Sequence, residues 1–266
     1  MKKIFLFAIL FTLTACASAQ DWAKAKIEKS PRHHEFVNVK HGDREVNCFI
    51  TYPEVKDKAT AVIVIHEIFG LSDWARSVTD DLAAAGYIAI APDLLSGSAA
   101  GGGGTAELIK SGAEVGQAIR KLPADQITAD LNAVAEYLAK LPSCNGKVAV
   151  GGFCWGGTQT FRFATNNKDV KAALVFYGSG PEKEEDLARI KAPVYGFYGG
   201  NDNRVTSTVA KSAELMKKAG KTYEPKTYDD AGHGFMRAGE APDPNEANKK
   251  AHDEAWTRIK ELLKKL

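Results

Sequence analysis

The chain lacks several features that mark large functional classes. Its longest apolar stretch, Ile4 to Leu13, is far short of the roughly 20 residues that a membrane-spanning helix needs. It also lacks a charge excess. The 35 basic and 33 acidic residues leave a net charge of +2, and setting aside Lys2 and Lys3 of the leader balances the count at 33 each. A neutral chain offers no basic face for nucleic acid. Gly101 to Gly104 is not followed by the Lys-Ser/Thr that closes a phosphate-binding loop, and His66-Glu67 is not a zinc motif because Gly70 stands where the second histidine would be. Neither a metal nor a cofactor is implied. Repeats, heptads and signs of a second domain are also missing.

What opens the chain is a leader: two lysines, the short apolar run, then small residues. Ala17-Ser18-Ala19 before Gln20 suits ordinary signal cleavage, giving a leader of 1–19. Leu13-Thr14-Ala15-Cys16 instead resembles a bacterial lipobox, giving a leader of 1–15 and a lipid anchor at Cys16. Either exit predicts export to the periplasm or beyond, with membrane attachment only through Cys16. Residues 20–266 then form a single domain within the size one core can reach.

Cysteine is scarce, at four residues. With Cys16 in the leader or at the anchor, Cys48, Cys144 and Cys154 remain, and an odd number leaves at least one thiol free. An oxidising compartment permits a Cys48–Cys144 disulfide, although nothing in the sequence brings the two together. Cys154 is the one expected to stay free.

Its surroundings explain why. Val148-Ala149-Val150-Gly151-Gly152-Phe153-Cys154-Trp155-Gly156-Gly157 runs from an apolar strand through Gly-x-Cys-x-Gly into a helix-compatible stretch, a nucleophile elbow with cysteine in the serine position. Such a sharp turn strains the backbone at its central residue, and glycine two residues before and two after removes the Cβ atoms that would clash. The thiol is left at the first turn of a helix, where free N–H groups and the positive dipole end favour a thiolate and a developing oxyanion.

Short β-branched runs alternating with helical stretches predict a mostly parallel central sheet with helices on both faces, an α/β architecture. Strands are expected at Val46–Tyr52 (an antiparallel edge strand), Ala61–Ile65, Tyr87–Ala91, Lys147–Gly152, Ala172–Tyr177, Val194–Tyr198 and about Tyr223–Tyr228. Helices are expected at about Asp73–Ala85, stopped by Gly86, at Asp125–Leu141, and at Glu246–Leu266, the last packing on the sheet. Ser96 to Gly104 reads as a mobile flap or plain surface loop.

Three chemically apt residues each follow a predicted strand: Cys154, Asp202 in Gly199-Gly200-Asn201-Asp202, and His233 in Ala231-Gly232-His233-Gly234-Phe235. Taken singly, the aspartate reads as a turn former and the histidine as a surface residue. Together and in this order they supply a nucleophile, a carboxylate that orients the imidazole, and a base that moves protons near neutral pH.

With these residues in place, the chain resembles the dienelactone hydrolase family of the α/β-hydrolase fold. His66-Glu67-Ile68-Phe69-Gly70, Pro92-Asp93-Leu94, Gly152-Phe153-Cys154-Trp155-Gly156-Gly157, Gly200-Asn201-Asp202 and Ala231-Gly232-His233-Gly234-Phe235 follow the family's order from about Glu45 to the C-terminus. The resemblance implies Cys154 as nucleophile, His233 as base and Asp202 as its orienting acid. It further implies that Glu67 holds and helps activate the thiol, and that the backbone N–H groups of Ile68 and Trp155 form the oxyanion hole. Arg237 falls where one of the family's substrate-gripping arginines lies. The segment Ser96 to Arg120 departs from the family pattern, so a second arginine is not assignable.

The expected activity is hydrolysis of a small ester or lactone, carboxylate-bearing if Arg237 grips it, through an acyl-enzyme on Cys154. Acyl transfer or peptidase-like cleavage by the same residues is the nearest alternative, and a secreted, non-catalytic binding protein on the same fold is a third reading.

Overall fold

The computed structural model describes residues 20–266, so both readings of the leader, including Cys16, lie outside the described residues. The elements run α1 (Asp21–Glu28), β1 (His34–His41), β2 (Arg44–Thr51), β3 (Ala59–Ile65), α2 (Asp73–Ala84), β4 (Ile88–Pro92), α3 (Thr105–Lys110), α4 (Val115–Arg120), α5 (Ala124–Lys140), β5 (Cys144–Phe153), α6 (Trp155–Asn166), β6 (Ala173–Phe176), α7 (Glu184–Ala188), β7 (Val194–Gly199), α8 (Asn203–Lys218), β8 (Tyr223–Tyr228), α9 (Phe235–Glu240) and α10 (Glu246–Leu263). The strands form one sheet in the order β1-β2-β4-β3-β5-β6-β7-β8. The β1–β2 and β2–β4 pairs are antiparallel, and every other neighbouring pair is parallel.

Strand composition follows from position. Every residue of β3 and β4 is buried, as expected for central parallel strands covered on both faces. One core packs Ile63, Ile65 and Val150 against Leu131 and Val134 of α5 and Phe161 of α6. The opposite core packs Val62, Val64 and Leu174 against Val78 and Leu82 of α2 and Ala255 and Ile259 of α10. Helices therefore cover both faces, and the C-terminal helix packs on the sheet as its amphipathic pattern implied. Ser72 caps α2 by accepting the Ala75 N–H, a contact worth about 1 kcal/mol, and Gly86 follows that helix with φ +96°.

The edge assignment needs correction. Val46–Tyr52 lies within the antiparallel part of the sheet, but β1 pairs along the whole length of β2 and takes the edge itself. Half of the residues of β1 are exposed and only Val39 is buried, so its sequence does not alternate as a covered strand would. The glycine-rich loop also differs from a plain flap. Ala99 donates to the Gly103 carbonyl, and Gly102 to that of Ala99, closing a turn that delivers Gly104 to the start of α3. A Cβ on Gly104 would fall 2.3 Å from an oxygen of the Asp93 carboxylate, which accepts from Leu95 N, Thr105 N and Thr105 Oγ1. The glycines thus let this turn press against a buried carboxylate.

Chain order places a crevice. After β3 the chain continues to β4 on one side, whereas β5, the other neighbour of β3, leads away to β6, β7 and β8. The loops leaving β3 and β5 diverge at this switch point, where open α/β sheets bind ligands.

Candidate active site

Ile65 at the end of β3 pairs with Gly152 near the end of β5, so the His66–Gly70 loop and the elbow start side by side. Cys154 caps α6 with φ +57° and ψ −117°, a conformation costly for a residue with a side chain. The flanking glycines make that turn possible. A Cβ on Gly152 would stand 2.4 Å from the Gly156 carbonyl oxygen, and a Cβ on Gly156 would stand 2.3 and 2.4 Å from the carbonyl oxygens of Ile65 and His66. The two glycines inferred from the elbow geometry are thus the positions where backbones touch. Cys154 is half-buried, while Cys48 and Cys144 are buried and unbridged, so the disulfide left open by the sequence is not formed. Burial, reinforced by Asp130 and Asp93, pushes the Cys48 thiol far above its ordinary range.

Asp202 caps α8 just beyond β7 and is buried, and His233 lies beyond β8. His233 Nδ1 is 2.6 Å from Asp202 Oδ2. A carboxylate can only accept here, so Nδ1 carries the proton and Nε2 is left for other work. The His233 pKa rises from 6.5 to about 8, chiefly through its hydrogen bond with Cys154, with Asp202 adding to the rise and partial burial opposing it. Asp202 and Cys154 thus both act on the His233 imidazole.

Glu67 and Arg237 are also brought together, and in a way the sequence did not indicate. Glu67 is buried, and its Oε2 accepts from Arg237 Nε at 2.8 Å, so its hydrogen bond goes to the arginine rather than to the thiol. Burial raises the Glu67 pKa while Arg237 and then His233 lower it. The arginine also stacks on Phe69, with its guanidinium 5.2 Å from the ring centre. Ile68 stands in the loop after β3, and its N–H donates to no described residue. Trp155 is the first residue of α6, where an N–H has no intrahelical acceptor.

Three further residues went unassigned from sequence. Tyr177 follows β6 with φ +39°, is fully buried, and sets its ring edge-on to His233 at 5.0 Å. Its hydroxyl has no hydrogen-bond partner among the described residues and feels the charges of Glu67, Arg237 and Cys154. Arg204, exposed in the first turn of α8, places Nη2 3.5 Å from His233 Nδ1. His66, given no role from the sequence, is fully buried beside Trp155. The signals available were a Tyr-Gly step after a strand, an arginine two residues past the acid, and the histidine preceding Glu67.

Among the described residues, no three His, Cys, Asp or Glu side chains gather as a metal-binding group, and no helix is long and apolar enough to cross a membrane.

Comparison with known proteins agrees with this geometry. The Salmonella typhimurium protein named "Putative carboxymethylenebutenolidase" is 32% identical over 231 residues, covering 82% of each chain. The Escherichia coli K12 protein of the same name is 32% identical over 216 residues, covering 76% of each. A crystal structure titled "Putative Dienelactone Hydrolase" from Klebsiella pneumoniae superposes with a TM-score of 0.74 at 25% identity, covering 88% of this chain and 99% of that one. The sequence profile of the dienelactone hydrolase family matches residues 46–266, and the chain belongs to that family of α/β-fold hydrolases.

Proposed function

We propose that the protein hydrolyses small esters or lactones through an acyl-enzyme on Cys154. The observation that carries this reading is the short Asp202–His233 hydrogen bond behind an imidazole whose pKa is raised chiefly by the Cys154 thiol. In the first half-reaction, His233 Nε2 takes the thiol proton as Sγ attacks the substrate carbonyl carbon. The resulting oxyanion is held by the N–H groups of Ile68 and Trp155, as preorganised donors do in acyl transfer. Collapse breaks the bond to the alkoxide, which receives the proton from His233 and leaves a thioester. In the second half-reaction, water gives a proton to His233 and attacks the thioester, and the thiol recovers that proton as the acid departs. A lactone stays one molecule throughout and leaves as a hydroxy acid.

Arg237 and the exposed Arg204 favour a substrate carrying a carboxylate. Arg237 bonds to Glu67 through Nε, which leaves the Nη groups of its planar fork to meet an anion in two-point fashion. The buried Glu67 carboxylate keeps the arginine aimed at the site, and release of Glu67 on substrate binding would free a second base near His233. The leader-like start of the sequence supports an exported enzyme, held at a membrane if Cys16 carries lipid.

A panel of aryl esters and lactones, each with and without a carboxylate, tests the proposal with wild-type protein and Cys154→Ala. Turnover that vanishes in the variant and favours the carboxylate-bearing members supports it. Turnover that survives the substitution contradicts it, and faster product formation with an added alcohol or amine acceptor moves the assignment to acyl transfer.

A further inference from the structure

We propose that His66 is the positioning residue of the oxyanion site, acting on both of its backbone donors. The inference rests on the reading that Ile68 and Trp155 supply those donors. His66 Nδ1 lies 2.8 Å from the Glu67 carbonyl oxygen. A carbonyl only accepts, so Nδ1 carries the hydrogen and Nε2 is a bare lone pair. The carbonyl that receives this bond belongs to the same peptide unit as the Ile68 N–H. Donation to the oxygen fixes the tilt of that peptide plane and polarises the N–H at its other end, because linked hydrogen bonds strengthen one another. The Gly70 N–H donates to the same oxygen at 3.2 Å, so the carbonyl is held from two sides.

The ring meets the second donor residue directly. It stacks on the Trp155 indole with 5.6 Å between centroids and 15° between planes. The backbone of His66 is in contact with α6 as well, since a Cβ on Gly156 would fall 2.4 Å from the His66 carbonyl oxygen. One buried side chain thus joins the loop carrying Ile68 to the helix turn carrying Trp155. Burial holds the imidazole neutral against the pull of the nearby Asp93 carboxylate.

The other ring nitrogen shows that packing alone does not explain the residue. Nε2 is buried with no hydrogen-bond partner among the described residues. An unmet polar atom of this kind costs on the order of 1–3 kcal/mol, which an apolar ring would avoid. A stability loss at a functional site is expected where the side chain performs a task that the cheaper residue cannot. Here the task is the Nδ1–H bond to the Glu67–Ile68 peptide.

His66→Phe keeps a stacking ring and removes the donor, whereas His66→Asn keeps a donor near the Nδ1 position and removes the ring. Three quantities are read for each: kcat and KM on an aryl ester, inhibition by a trifluoromethyl ketone, which forms an oxyanion, and alkylation by iodoacetamide, which does not. His66→Phe should lower kcat by about 10- to 100-fold, less than outright loss of a donor, and weaken the ketone by a similar factor. Its KM and alkylation rate should stay near wild type, and His66→Asn should recover most of kcat. Wild-type kcat in His66→Phe overturns the proposal, as does a kcat loss matched by an equal loss of alkylation. His66→Leu replaces His66→Phe, with the same expectations, if the phenyl ring prevents folding. Failure of the underlying nucleophile assignment shows separately, as turnover that survives Cys154→Ala.

Discussion

Glu67 and Arg237 form an ion pair at 2.8 Å in which the carboxylate is almost wholly buried and the guanidinium is about one-third exposed. The two residues lie 170 positions apart, in the loop after β3 and in α9. The pair locks the first loop of the site to the segment that carries His233. It also keeps the buried carboxylate of that loop from standing as an unpaired charge.

Removing only the arginine should therefore cost stability as well as binding. Loss of one partner from a fully buried pair costs about 3–5 kcal/mol, and the partial exposure of Arg237 sets the expectation at the lower end. Arg237→Ala should lower Tm measurably, and Glu67→Gln combined with Arg237→Met should regain much of it while staying poorly active on carboxylate-bearing substrates. Thermal denaturation of the two variants checks this, and an unchanged Tm in Arg237→Ala contradicts it.

The raised His233 pKa sets the pH profile. Its base form is the neutral imidazole, so kcat/KM should climb with pH through about 8. That limb belongs to the interacting Cys154–His233 pair rather than to either residue alone. Asp202 contributes to the rise, so Asp202→Asn should shift the limb toward lower pH and reduce kcat by several orders of magnitude. A limb that does not move would separate Asp202 from the imidazole.

At the elbow, Gly156→Ala should be among the most damaging small substitutions in the chain. The added methyl would lie 2.3 Å from the Ile65 oxygen and 2.4 Å from the His66 oxygen, both rigid backbone atoms. Overpacking of this kind costs roughly 1–3 kcal/mol and sometimes more. Gly42→Ala makes a useful contrast, because no atom lies within 4 Å of its added Cβ and only the positive φ of +52° opposes it. Urea denaturation should show the larger loss at Gly156.

These positions also show what could be read in the sequence. The elbow, the order Cys154–Asp202–His233 and the buried parallel strands β3 to β7 were legible because short-range constraints fix them: glycine where backbones touch, β-branched runs where both faces are covered, and candidate site residues in the loops that follow strands. The edge strand β1 was not, since an exposed edge imposes no alternation. α1, α3, α4, α7 and α9 were also missed, being helices of five to eight residues, and so was the 16-residue α8, whose buried face carries only Val205, Leu215 and Met216 as large apolar residues. The Glu67–Arg237 bond, the aim of Tyr177 and the stacking of His66 on Trp155 depend on contacts across the fold that no local spacing encodes.

Thiol accessibility separates the three described cysteines. Cys154 is half-buried at a helix start, whereas Cys48 and Cys144 lie within the core. Iodoacetamide followed by peptide mass mapping should label Cys154 first in the folded protein and all three only after denaturation. Equal slow labelling of all three would argue against an activated thiol.

The most direct measurement is acid quenching during turnover of a slow aryl ester, followed by intact-protein and peptide mass spectrometry. The account predicts a mass increase equal to the acyl group, located on the peptide containing Cys154 and absent from Cys154→Ala. An acyl group on another residue, or undiminished turnover in Cys154→Ala, would contradict it.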